Sequence, residues 1–374
     1  MPVLLFIPLV ILLLYVCLIL ILSFGLHQLS PPSFQLPHHP SPVTVIVPFR
    51  DERDHLPLLL HDLEGQSYSM AHMEVIFVDD HSSDGSGELI RELIKNHSRF
   101  VCLELSGERQ GKKEALALGV QHASGEWIIQ ADADCRLGAN FVAAHISCLQ
   151  ETGADLVAGM VTTGEGKRGL LEILERLDLL SLVGASAGSF YLGRPLMCSG
   201  ANLAYSRKLF LETRPFDPGP GTASGDDMFL MVGARKLGKK LVYLTSGEAL
   251  VRTGSISDLR SLVMQRIRWG AKTPRYRMTD IQAAAVCTAL ANLCILVLPW
   301  LLLLEPELWV WLVPAFIVRS LADFLLLFRI TGYTGQRRDL RMFLPVMLLY
   351  YPYQAIVLAG SLFWRVTWKG PRKK

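Results

Sequence analysis

Ile128-Ile129-Gln130-Ala131-Asp132-Ala133-Asp134 ends an apolar run in two carboxylates one residue apart. Ile128 and Ile129 read as the buried end of a strand, so Asp132 and Asp134 emerge where they can hold a divalent cation against diphosphate oxygens. Taken alone the triplet reads more readily as a solvated acidic turn, because such turns are common. Its surroundings decide between the two.

Upstream, Val3 to Gly25 carries no Asp, Glu, Lys or Arg. As a helix it reaches about 35 Å, enough for a hydrocarbon core of about 30 Å. It is too long for a signal peptide and lacks a basic flank. Ile281 to Leu304 and Met342 to Trp364 are equally uncharged, while Leu308 to Phe328 carries Arg319 and Asp323. Those two stand four residues apart and can pair on one helix face turned to a bundle interior, a structural pair rather than a substrate contact. The division expected is an N-terminal membrane helix (1–26), a Pro-rich connector (27–42), a soluble domain (43–280) and a C-terminal membrane region (281–374) with three hydrophobic segments and a basic tail. His38 and His39 in the connector have no companion ligands, so a solvated linker is expected there rather than a metal site.

Seven scattered cysteines without CxxC pairs imply neither a zinc site nor a disulfide framework, and they suit a reducing compartment. A net charge of +3 without a basic-aromatic stripe gives no case for nucleic acid. With the soluble domain in the cytoplasm of an integral inner- or plasma-membrane protein, the Arg329–Arg341 loop falls inside, as the positive-inside tendency favours. The tail (Arg365, Lys369, Arg372, Lys373, Lys374) conflicts with four complete crossings, and Pro352 among three tyrosines offers a break where the last segment can turn back.

The soluble part opens as an α/β nucleotide-binding domain. Val43–Val47 reads as a strand with Pro48, Arg50, Asp51 and Glu52 at its carboxyl end, where such folds place ligand loops. Leu56–Leu63 reads as a helix, and Glu74–Val78 as a second strand followed by Asp79 to Gly85. In that polar loop Asp80 is the preferred carboxylate for a base or ribose, beside the plainer reading of a capped turn. Glu88–Ile94 is the next helix. Gly111-Lys112-Lys113 then opens a helix through Leu118 whose amides and lysines can face phosphate, although it lacks the P-loop pattern. Gly200-Ala201-Asn202 reads as a tight acceptor-facing loop or as structural glycine. Asp226 and Asp227, after Ser224-Gly225, stand at a helix start, where one carboxylate can take a proton from a hydroxyl or the pair can merely favour the helix dipole. Gln265, Arg268 and Trp269, at i, i+3 and i+4, share a helical face. Leu170–Leu182 reads as an amphipathic helix, at the membrane interface or internal.

In order, PFRDE, VDDHSSDGSG, ADAD, SGANLAY, SGDD and QRIRW cover most of Pro48 to Trp269. The chain thereby resembles a membrane-associated family-2 glycosyltransferase with a GT-A catalytic domain. That resemblance implies a mixed, mainly parallel sheet flanked by helices and fused to transmembrane helices. It also implies inverting transfer of a sugar from a nucleotide donor, with UDP the preferred nucleotide and Mg2+ or Mn2+ at Asp132 and Asp134. Asp80 then contacts the nucleoside, with Pro48, Arg50, Glu52 and Lys112 on the donor side. Asp227 is the general base, and Gln265, Arg268 and Trp269 shape the donor-acceptor site. Gly200, Ala201, Asn202, Asp226 and Trp269 fall to the acceptor side. PFRDE departs from the Asn-before-Glu of many relatives, and SGDD from their Glu-before-Asp, but the principal carboxylates remain. The acceptor expected is a membrane lipid or lipid-linked hydroxyl, with Trp368-Lys369-Gly370 similar to the ends of some lipid-directed relatives. A processive polysaccharide synthase is the alternative, and a noncatalytic scaffold or transporter component with a nucleotide pocket is the alternative from another class.

Overall fold

The computed structural model describes residues 2–30, 36–37, 39–107, 110–164, 169–213, 225–256 and 258–363. His38, Ser224, Arg365, the Trp368-Lys369-Gly370 tail and Arg372 to Lys374 lie outside them. In chain order the elements begin with α1 (Pro2–Gln28), β1 (Val43–Phe49), α2 (Leu56–Glu64), β2 (Met73–Asp79), α3 (Ser86–Ile94) and β3 (Phe100–Glu104). There follow α4 (Lys112–His122), β4 (Trp127–Gln130), β5 (Cys135–Arg136), α5 (Phe141–Thr152), β6 (Leu156–Gly159), β7 (Val161–Thr163) and α6 (Leu170–Tyr191). Then come β8 (Leu203–Ser206), α7 (Arg207–Thr213), α8 (Asp226–Lys236), β9 (Leu241–Leu244), β10 (Val251–Thr253) and α9 (Leu259–Gly270). The chain closes with α10 (Thr279–Leu304), α11 (Trp309–Thr334) and α12 (Phe343–Phe363).

These elements form two compact units. One, termed the catalytic unit after the activity that the resemblance implies, comprises Ser30–Gly164 with Met197–Gly254. Its main sheet has the order β3-β2-β1-β4-β8-β6-β9, parallel throughout except for β8, which runs against both its neighbours. Every residue of β1 is buried, as a strand covered on both faces requires, and its Val-Ile-Val run supplies the apolar side chains for that. The sequence-read elements all form, with bounds one or more residues wider: β1 continues through Pro48, and α4 runs to His122. The Gly200-Ala201-Asn202 loop leads into β8. A second sheet, β5-β10-β7, pairs Thr253 with Cys135 in antiparallel register.

The other unit, called here the membrane unit, comprises Met1–Leu29, Glu165–Leu196 and Ser255–Val366. Thus α6 and α9, which fall within the 43–280 span, belong to it. Among the described residues four helical stretches are long and apolar enough to cross a membrane: Phe6–Gln28, Thr279–Leu304, Pro306–Thr334 and Arg337–Phe363. Arg319 is fully buried, as its charge in such a segment demands, but among the described residues it does not form the direct ion pair its spacing suggested. It donates instead to Asn292 Oδ1 on α10 and lies 4.7 Å over the rings of both Tyr15 and Tyr351, while Tyr15 Oη donates to Asp323 Oδ1 at 2.7 Å. Lateral partners on other helices outcompete the neighbour one turn away. The break expected at Pro352 does not occur, since α12 runs unbroken through it. Proline is tolerated in apolar helices where neighbours satisfy the freed carbonyl.

The amphipathic reading of Leu170–Leu182 also changes. α6 extends to Tyr191, and its charged residues Glu175, Arg176 and Asp178 turn inward rather than to an aqueous face. Each has a partner: Arg176 pairs with Asp339 at 2.6 Å, Asp178 with Arg266 at 2.6 Å, and Glu175 Oε2 accepts from Ile256 N at 3.0 Å.

Candidate active site

The carboxyl ends of β1 and β2 carry two loops that hydrogen-bond to each other. Asp51 N donates to Ser82 Oγ at 3.1 Å, Ser83 N to Asp51 Oδ1 at 2.8 Å, and Glu52 N to Ser86 Oγ at 2.9 Å. Asp51 and His81 hold φ values of 53° and 57°. Non-glycine residues rarely adopt that left-handed region, and such strain gathers at functional sites. Asp80 stands at the end of β2 but is only 1% exposed; its Oδ2 accepts from Gly111 N at 3.0 Å, and Arg50 approaches to 3.9 Å. Its carboxylate therefore ties β2 to the start of α4. Burial raises the neighbouring Asp79 carboxyl above its ordinary range, against the Ser82 hydrogen bonds.

Helix α4 delivers Lys112, whose ammonium donates to Asp132 Oδ1. Burial would lower that ammonium, but Asp132 with Asp226 and Asp227 hold it well above its ordinary value. Burial lifts the Asp132 carboxyl while Lys112 pulls it down and Asp134 pushes it up. Asp134 Oδ2 accepts from Thr253 Oγ1 at 3.1 Å, so the small sheet orients the second carboxylate of the triplet.

Asp226 and Asp227 open α8 behind Gly225, whose φ of 98° turns the chain into the helix. Asp227 Oδ2 accepts from Gly200 N at 2.9 Å and Oδ1 from Met228 N at 2.8 Å, while Asp226 Oδ2 accepts from Gln130 Nε2 at 2.9 Å. Burial, reinforced by Asp226, raises the Asp227 carboxyl above its ordinary range, against Lys112. Gly200 marks the centre: a Cβ there would lie 2.6 Å from Gln130 Nε2, 3.2 Å from Lys112 Nζ and 3.5 Å from Asp226 Oδ2. No side chain fits among those three groups.

The structure thus gathers Lys112, Asp132, Gly200, Asp226 and Asp227, with Asp134 beside Asp132. Asn202 departs from its expected acceptor side. It is 0% exposed, its Nδ2 donates to Met160 O and Ala249 O at 2.7 Å each, and its Oδ1 faces His145 Nε2 at 2.7 Å. A side chain so committed holds the loop and has nothing left for a substrate. Ala201 is buried as well. Gln265, Arg268 and Trp269 lie on α9 in the membrane unit, with Trp269 37% exposed. Gln130 and Thr253 are additional site residues; Gln130, a lone amide closing an apolar strand just before Asp132, was visible as a signal, and Thr253 was not.

Hard carboxylate oxygens suit Mg2+ or Mn2+, and among the described residues no three or more His, Cys, Asp or Glu stand together as a complete cage. That donor set fits a cation sharing its coordination with substrate phosphates, the usual arrangement for Mg2+.

A carboxylate-lined site at the carboxyl ends of a mainly parallel sheet, with four membrane-length helices among the described residues, is the arrangement of a GT-A-type fold with membrane helices, and a solved-structure likeness bears the fold out. Residues 44–213 match the family model described as glycosyl transferase family 2. Among solved structures, a mannosyltransferase from Pyrobaculum calidifontis, in complex with GDP-Man and Mn2+, superposes with a TM-score of 0.59 at 18% identity over 94% of each chain. Glycosyltransferase AglE of Haloferax volcanii is 30% identical over 119 residues, 32% of this chain and 39% of that protein. An undecaprenyl-phosphate 4-deoxy-4-formamido-L-arabinose transferase of Klebsiella pneumoniae is 31% identical over 93 residues, 25% of this chain and 28% of that protein. The chain therefore spans well under two thirds of the length of these two curated relatives.

Proposed function

We propose that the protein transfers a sugar from a nucleotide-sugar, with UDP the preferred nucleotide, to a hydroxyl of a membrane lipid or lipid-linked acceptor, with inversion. The observation that carries this reading is the convergence of Lys112, Asp226 and Asp227 at Gly200, with Asp132 bonded to the Lys112 ammonium. Such a site attracts a further cation and, with it, a diphosphate. Asp132 and Asp134 would hold Mg2+ or Mn2+, which supplies charge neutralisation of the donor diphosphate when bound.

The chain's own groups do the rest. Asp227, lifted by burial and fixed by two backbone amides, takes the proton of the attacking hydroxyl as its oxygen bonds to the anomeric carbon. The sugar-phosphate bond breaks and its electron pair leaves with the nucleoside diphosphate. Lys112 adds positive charge on the donor side, Asp80 with Arg50, Pro48 and Glu52 forms the nucleoside side, and Gly200 with Asp226 borders the acceptor. The likeness of QRIRW to the family motif assigns Arg268 to the departing diphosphate and Gln265 and Trp269 to shaping the donor-acceptor site. The relative named for undecaprenyl phosphate supports a lipid-linked acceptor. The basic 329–341 loop supports a cytoplasmic catalytic unit.

Mass spectrometry of native membranes with and without the protein tests the reading. The expected result is one lipid species displaced by the mass of a hexose or related sugar. UDP-sugar binding with no glycosylated product across lipid and carbohydrate acceptors would replace it with a noncatalytic role.

A further inference from the structure

We infer that Asp178 is a positioning residue for the Gln265/Arg268/Trp269 helix, acting through Arg266. This deepens the functional reading above and rests on that motif belonging to the transfer machinery. The argument starts from Arg266, which sits inside the motif yet is buried. Its guanidinium does three things at once. Nε donates to Asp178 Oδ2 at 2.6 Å, Nη1 donates to Gln265 Oε1, and the guanidinium carbon lies 4.3 Å from the centroid of the Trp269 ring. One planar cation thus fixes the amide on one side and the aromatic ring on the other, using both its fork and its face.

What fixes Arg266 is Asp178. That carboxylate also accepts from Tyr353 Oη at 3.2 Å and from Gln354 Nε2 at 3.2 Å, both on α12. Helices α9 and α12 meet closely around it. A Cβ on Gly270 would fall 2.5 Å from Ser361 Oγ, and one on Gly360 would fall 2.3 Å from Ile267 Cδ1. Glycine at both places lets the two helices approach, so a hydrogen bond from α12 bears on the motif across a short, rigid path. Membrane helix α12, Asp178, Arg266 and then Gln265 with Trp269 form one continuous chain of contacts. The membrane unit is on this reading part of how the motif is aimed, beyond anchoring it.

The test compares Asp178→Asn with Asp339→Asn in the full-length, detergent-purified protein labelled with fluorotryptophan, the Trp269 resonance being identified by its loss in Trp269→Phe. Asp339 pairs with Arg176 in the same unit, so its variant breaks a different buried ion pair. Asp178→Asn should shift or broaden the Trp269 fluorine line and lower kcat about 10- to 100-fold with donor KM little changed, the scale expected from misplaced groups. Asp339→Asn should leave that line in place. If Asp178→Asn fails to fold, Tyr353→Phe and Gln354→Ala each remove one hydrogen bond to Asp178 and should move the same line with a loss of about 2- to 10-fold. An unmoved Trp269 line in the folded variants, or a line moved equally by Asp339→Asn, overturns the inference. Should Trp269→Ala transfer sugar at the parental rate, the motif's role falls instead, while the fluorine line still reports whether Asp178 positions it.

Discussion

In the catalytic unit one ammonium, Lys112, stands with three carboxylates, whereas in the membrane unit two guanidinium groups, Arg266 and Arg176, stand with three, pairing with Asp178 and Asp339 beside Glu175. The second pattern is nearer to balance, with all five side chains buried and Glu175 accepting from the Ile256 amide. A one-to-one pair in an apolar setting is complete; removing a partner strands a charge and costs about 3–5 kcal/mol. The first pattern carries the larger surplus of negative charge around a glycine whose missing Cβ lets the groups close in. Surplus charge in a fold is costly unless something else compensates it, and here a divalent cation would do so. On the proposed function, the larger charge imbalance marks the ligand site, and the paired charges fix geometry.

The largest effect should come from the unbalanced side. Asp227→Asn is nearly isosteric but cannot take a proton as a carboxylate does, so single-turnover transfer should fall about 100- to 10,000-fold while UDP-sugar affinity is kept. Asp226→Asn should be milder, because an asparagine oxygen can still accept the hydrogen bond from Gln130 Nε2. Parental transfer by Asp227→Asn beside an inert Asp226→Asn would move the base to the other aspartate.

Stability should respond in the opposite sense. Asp339→Asn leaves Arg176 buried without its counter-charge and should lower unfolding stability by about 3 kcal/mol. Asp132→Asn ends the burial cost of a carboxylate and its repulsion with Asp134 and Asp226 against the loss of the Lys112 pair, and should cost less than Asp339→Asn. Thermal melts of the two variants in one detergent read the contrast. Equal destabilisation would mean that the two kinds of cluster are held in the same way.

A smaller effect lies in pH. Burial lowers the His145 ring from 6.5 to about 4, against the hydrogen bond to Asn202. The neutral ring's contribution is fully present above pH 6.5. As pH falls, the unfolded chain takes up a proton that the folded ring refuses, so stability is lost progressively down to about pH 4, by roughly 3 kcal/mol in all. Melting midpoints of the parent should therefore fall more steeply over that window than those of His145→Phe. Parallel slopes would show that His145 is not held neutral.

Much of the catalytic unit was legible because its signals are local. β1 and β2 are β-branched runs ending in polar loops, and the DxD and DD pairs announce themselves within a few residues. The membrane unit's charged core was not legible: Asp178 and Arg266 stand 88 residues apart, and Tyr353 lies 175 residues from Asp178. Helical periodicity assigned Glu175, Arg176 and Asp178 to a polar face, and only the partners brought by α9, α12 and the turn at Asp339 turn that face inward. Arg319 and Asp323 show the same limit, since spacing suggested that they pair but could not rank Asn292 and Tyr15 against a neighbour one turn away. Asn202 was misread for a related reason. A polar residue in a motif loop looks substrate-facing until its three buried partners are known.

Metal-dependent release of nucleoside diphosphate reads the unbalanced cluster most directly. Purified protein given a UDP-sugar and a lipid acceptor should release UDP with Mg2+ or Mn2+, fall silent on chelation and recover when metal is restored. Asp134→Ala should melt like the parent yet lose that metal-assisted release. Full-rate release by Asp134→Ala, unaffected by chelator, would contradict the assignment of the donor site.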